Sequence, residues 1–147
     1  MKEDRLSIYQ KYDGKCAYSG TPLDPNWEIE HIKPIRRSLY SGGKPVFPEN
    51  DNINNVVPVQ KLINHYKHSL DLEEFRTWYL GRLHIRLGKL PKNPRTEKGK
   101  RRKEYMLKIA EYFGITPEHQ FDGKFYFEKL SQLSESEMQG NITTGTI

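Results

Sequence analysis

From Asp4 to Tyr12 the apolar residues Leu6, Ile8, Tyr9 and Tyr12 recur at near-helical spacing until Asp13-Gly14 stops them, which predicts a short opening helix. Turn formers (Ser19, Gly20, Pro22, Asp24, Pro25) crowd the next stretch. Trp27 and Ile29 then alternate with Glu28 and Glu30 in the two-residue period of a strand that ends at His31. The span from Pro34 to Asn54, with Ser41-Gly42-Gly43, Pro45 and Pro48, reads as an exposed loop carrying Arg36 and Arg37. Asn55-Val56-Val57-Pro58-Val59 predicts a short buried strand, which Pro58, having no N–H to donate, confines to an edge or a strand end. Gln60 through Lys67 contains no breaker and continues as a helix.

Asp71 can cap a longer helix in which Leu72, Phe75, Tyr79, Leu83 and Leu87 form one apolar stripe, stopped by Gly88. Another helix is predicted from about Lys100 to Phe113, where Tyr105, Ile109, Tyr112 and Phe113 share a face and Gly114 ends it. Phe121 to Phe127 reads as a hairpin or an edge strand, and Trp78 with the aromatics from Phe125 to Phe127 is expected in a small core. The residues from roughly Ser131 onward are polar, without periodicity, and are expected to be mobile. The sum is an α+β chain: an opening helix over 1–13, a strand-loop-strand-helix core over 14–70, a helical extension with a short C-terminal strand over 71–130, and a polar tail over 131–147.

A length of 147 residues with 35% hydrophobic content suffices for one domain with a real core. The net charge of +5 and a pI near 9.2 suit a polyanionic partner. That charge is local. The segment from Lys89 to Lys103 holds eight basic residues against the single acid Glu97; taking these from the totals of 24 and 19 leaves 16 basic and 18 acidic residues. Cys16 alone cannot make an intrachain disulfide and reads as a small buried hydrophobe, not a nucleophile. The start, Met1 to Arg5, lacks the apolar core of a signal peptide, and no stretch is apolar enough to span a bilayer. The expectation is a soluble protein of the cytoplasm, in a bacterial or phage-infected cell.

Glu30-His31 puts a hard oxygen ligand beside an imidazole whose ordinary pKa of about 6.5 suits a general base. Adjacent strand residues point to opposite faces, so both can serve one site only where the strand ends or bends, as Pro34 allows. Downstream, Asn55 opens the second strand, Asn64 follows nine residues later, and Lys67 lies one helical turn beyond Asn64. A Glu-His pair by itself is ordinary surface chemistry; the ordered set is the informative feature. His65 reads as exposed, and His84 and His119 as structural.

This set resembles the HNH endonucleases, especially their small phage and bacterial members. The family pattern is an acid followed by His and a downstream Pro, a loop often containing Gly-Gly, an Asn opening the second strand, and Asn or His nine residues later followed by Lys. The chain reads Glu30-His31-Ile32-Lys33-Pro34, Ser41-Gly42-Gly43, Asn55-Val56-Val57-Pro58 and Asn64-His65-Tyr66-Lys67, and Asp71 to Arg76 looks like the continuation in phage members. The likeness covers roughly Cys16 to Phe75. It departs where many relatives carry two Cys pairs for structural zinc: the corresponding positions are Cys16-Ala17-Tyr18-Ser19 and Gln60-Lys61-Leu62-Ile63, and one sulfur cannot complete a tetrahedral site. No structural zinc is expected, with Tyr18 and Ile63 packing in its stead.

The resemblance implies a ββα-metal (His-Me finger) core with flanking helices and hydrolysis of phosphodiester bonds in double-stranded DNA to 3′-hydroxyl and 5′-phosphate ends. It makes His31 the general base, Glu30 and Asn64 the ligands of one divalent cation, Asn55 the residue that shapes the turn, and Lys67 a phosphate contact. Oxygen ligands favour Mg²⁺, with Mn²⁺ next; His68, four residues after Asn64, could add a ligand that favours Ni²⁺ or Zn²⁺. Lys33, Arg36 and Arg37, together with Lys98, Lys100, Arg101 and Arg102, are the candidate DNA contacts. Two other functions compete: an HNH-fold DNA-binding module with weak or no turnover, and an adaptor using its helices as a partner surface. DNA specificity, oligomeric state and biological role stay open.

Overall fold

A computed structural model describes residues 4–33, 48–50 and 52–133. Pro34, Arg36, Arg37 and the Ser41-Gly42-Gly43 run lie outside the described residues, as does the tail from 134 onward. The opening helix α1 (Arg5–Gln10) buries Ile8 against Trp27 and Val56. Strands β1 (Glu28–His31) and β2 (Val56–Val59) pair antiparallel with Glu28 opposite Val59 and His31 opposite Val56. Helix α2 (Lys61–Lys67) follows β2 after the single residue Gln60. The chain is therefore of mixed α and β structure, with one two-stranded sheet among the described residues.

Alternation along the sheet divides the core. Val57 and Val59 join Tyr18, Ile63, Phe75 and Phe125 in the main cluster, while Val56 joins Ile8 and Trp27 in a small cluster on the other side. Cys16 is fully buried, as expected of a small apolar residue, and Tyr18 and Ile63 pack in the core. The amide of Gln60 ties the segment before β1 to the start of α2: it donates to the Pro22 carbonyl (2.7 Å) and Thr21 Oγ1 (3.2 Å) and accepts from Asp24 N–H (3.0 Å).

The long helix predicted from Asp71 to Leu87 is interrupted. Asp71 does cap its start by accepting from the Glu74 N–H at 2.8 Å, but α3 (Leu72–Glu74) passes into a π-helical turn, Phe75–Leu80, before α4 (Leu83–Gly88). The wider turn lets Phe75 and Leu80, five residues apart, both enter the core. Gly81 suits it, because a Cβ there would lie 2.5 Å from the Thr77 carbonyl oxygen. Phe75 sits among the rings of Tyr18, Tyr66, Tyr79, Phe113 and Phe125, at centroid distances of 5.8 to 6.5 Å.

Helix α5 (Glu97–Phe113) begins three residues before its predicted start, where Thr96 Oγ1 accepts from the Gly99 N–H (3.0 Å), and it ends at Gly114 in the left-handed conformation. Thr96→Ala is expected to lower unfolding stability by about 1 kcal/mol, seen as an earlier urea midpoint at unchanged slope.

The expected C-terminal strand is absent. Residues 121–125 carry no strand and 126–133 are helical, so the mobile tail expected from Ser131 gives way to helix as far as 133. Aromatic packing overrides the strand-like pattern: Phe125 is fully buried, stacked on Phe75 at 5.8 Å, and Arg76 makes a two-pronged ion pair with Glu128 (2.6 and 2.7 Å) that anchors the segment. Trp78, expected in the core, is 54% exposed with the Arg82 guanidinium 4.9 Å from its ring centroid. No helix among the described residues is long and apolar enough to cross a membrane.

Candidate functional site

The period of β1 sends Glu28 and Glu30 toward α2, and both meet a side chain from that helix. Asn64 Nδ2 donates to Glu28 Oε1 at 2.9 Å, and Lys67 Nζ lies 3.8 Å from Glu30 Oε1. Glu28 also has His65 Nε2 at 3.7 Å. The same alternation assigns His31 to the opposite face, but as the last residue of β1, half-buried, where the strand gives out.

Beyond His31 the backbone is clamped. Asn55 Oδ1 accepts from the Lys33 N–H and its Nδ2 donates to the Lys33 carbonyl, each at 2.9 Å, and the Asn55 carbonyl accepts from the Ile32 N–H, also at 2.9 Å. One carboxamide thus satisfies both backbone groups of a residue two positions past the imidazole, so the end of β1 is held by the start of β2. Lys33 itself keeps an exposed side chain.

Glu30 is buried, and its pKa is pushed up to about 7. Burial is the main cause; the Lys67 ammonium and the His31 backbone N–H pull it down, and Glu28 pushes it up again. Lys67 corrects an expectation. Expected at a phosphate, it has no exposed side-chain surface, donates to the Leu70 carbonyl at 2.7 Å and faces Glu30. Burial lowers its pKa, against the pull of Glu30, Asp71 and Glu74. Nearby, burial holds the Tyr18 phenol well above its usual pKa, with Glu30 adding to the effect.

Among the described residues, Glu30 Oε2 and Tyr18 Oη are buried without a hydrogen-bond partner. An orphaned carboxylate oxygen is an acceptor and a ready metal ligand, and Asn64, whose nitrogen is committed to Glu28, has its amide oxygen to offer. These oxygens suit a hard cation. Against this, Lys67 already neutralises part of Glu30. His68, exposed at the end of α2 with φ of 57°, lines one shallow depression with Asn64 and His65, on Asn64's side of the site.

Of the residues read from sequence, Glu30 and Lys67 meet across β1 and α2, Asn64 meets Glu28 on the same strand, and Asn55 and His31 lie at the strand end. Lys98, Lys100, Arg101 and Arg102 are exposed on the first turns of α5. Glu28 was missed. It stands two residues before Glu30, and strand period alone puts it on the same face. No protein-family model, curated protein or solved structure matches the chain.

Proposed function

We propose that the chain is a metal-dependent endonuclease of the HNH type acting on double-stranded DNA, with β1, β2 and α2 as a ββα-metal core. The observation that supports this best is the Asn55 clamp on Lys33, which fixes the chain just past His31. Such a clamp is what aiming an imidazole from a strand end requires. In this reading His31 accepts the proton of the attacking water, Glu30 and Asn64 hold one divalent cation with His68 within reach of the same side, and Glu28 orients Asn64. The bound cation, Mg²⁺ first and Mn²⁺ next, would supply charge stabilisation at the phosphoryl oxygen and the departing 3′ oxygen. Lys67 acts on Glu30 instead of on phosphate. Lys33, Arg36, Arg37, Lys98, Lys100, Arg101 and Arg102 contribute backbone contacts, which give affinity but little sequence choice.

One observation favours the second reading, a DNA-binding module with weak or no turnover: Glu30 is enclosed beside a lysine, where an ammonium competes with a cation. Supercoiled plasmid separates the two. Conversion to nicked circles with Mg²⁺ or Mn²⁺, abolished by EDTA, is expected. Salt-sensitive retention of the plasmid without conversion under either metal would overturn the enzyme reading in favour of the module.

A further inference from the structure

The loop 89–96 folds back on α5, held by Lys103 Nζ donating to the carbonyls of Pro91 (3.0 Å) and Lys92 (2.8 Å). Between loop and helix lies a cleft of about 390 Å³, within the range of small-molecule sites. Leu90, Pro91 and Met106 give it apolar lining, and Arg86, Lys89 and Arg102 basic lining; none of its lining residues is acidic. The Arg86 guanidinium is fixed in place, donating to Tyr66 Oη at 2.6 Å and to the Trp78 carbonyl. Lys89 and Arg102 are exposed, and among the described residues their side chains make no hydrogen bond or ion pair.

We propose that this cleft binds a nucleotide, its base against Leu90, Pro91 and Met106 and its phosphate on Lys89 and Arg102. Apolar lining in one cleft with the cations of Lys89 and Arg102 matches a ligand with a flat apolar body and a charged end. A phosphate alone would leave the apolar lining unused, and a nucleoside alone would leave the cations unused. The surrounding segment, eight cations to one acid, would draw a polyanion to the cleft. The site is separate from the Glu30 cluster and stands whether or not the chain cleaves DNA.

The test is calorimetric titration of the full chain in EDTA, which removes any metal-dependent cleavage. The ligands are dAMP, deoxyadenosine, inorganic phosphate, a short 5′-phosphorylated oligodeoxyadenylate and an acidic phosphopeptide. The expectation is that dAMP binds at least about tenfold more tightly than deoxyadenosine or phosphate. Lys89→Gln and Arg102→Gln should each weaken it roughly fivefold to tenfold, as loss of a charge-assisted bond does. Tighter binding of the oligonucleotide than of dAMP identifies a strand end as the source of the nucleotide, and equal binding a free mononucleotide. The proposal fails if phosphate matches dAMP, if the phosphopeptide binds more tightly, or if the two variants bind dAMP as the parent does.

Discussion

Alanine at position 31 is expected to slow plasmid nicking by about 10²- to 10⁴-fold at saturating Mg²⁺, the usual contribution of a positioned proton acceptor. The substitution removes a half-buried side chain at a strand terminus, where the Asn55 bonds to Lys33 hold the backbone. Unfolding stability should therefore change little, and the lost rate should lie in the chemical step under single-turnover conditions. Added imidazole should restore part of the rate, which a merely structural histidine would not permit. A variant that nicks at the parental rate would remove His31 from the role of base.

The second large effect concerns the buried pair. Lys67→Ala leaves Glu30 enclosed without its cation, a change that costs roughly 3–5 kcal/mol in buried pairs broken on one side. The loss should depend on pH. The Glu30 carboxyl has its folded pKa raised from an ordinary 4.5 to about 7, so stability linked to it is fully present below about 4.5 and is lost as pH rises toward 7. Removing Lys67 removes the strongest influence pulling that value down, so the decline deepens and extends above pH 7. Urea denaturation in EDTA at pH 5 and pH 8 should show a smaller deficit at the acid end. Equal deficits at both would mean that the cost of Lys67→Ala is the lost packing and Leu70 bond rather than a stranded charge.

Much of this arrangement was written in local pattern. The alternation of Trp27 to Glu30 and the run Val56 to Val59 gave both strands, Gln60 to Lys67 gave the helix, and the nine-residue step from Asn55 to Asn64 gave one residue just before β2 and one in the middle of α2. Asn64 bonds to Glu28 instead of Glu30, a choice made by where the helix lies along β1, which spacing does not encode. Lys67 illustrates the same gap: a lysine one turn past a ligand position looks solvent-directed in sequence, and only the packing of 70–75 over the helix end encloses it. The break in the helix at Phe75–Leu80 arises because two large residues five apart both need the core, a demand set by Tyr18, Tyr66 and Phe125 from elsewhere in the chain. Likewise, Phe121 to Phe127 has strand composition, but no strand edge pairs with it and the aromatic cluster captures it.

The hydrogen bonds of Gln60 and Asn55 fasten β1 and β2 at opposite ends: one amide joins the entry to β1 to the exit from β2, the other joins the exit from β1 to the entry to β2. With both ends of the pair fixed, register does not depend on what connects the strands. Register is thus stored in two side-chain amides at opposite corners of the sheet, so that loss of either one should loosen one end of the strand pair while the other end keeps its alignment.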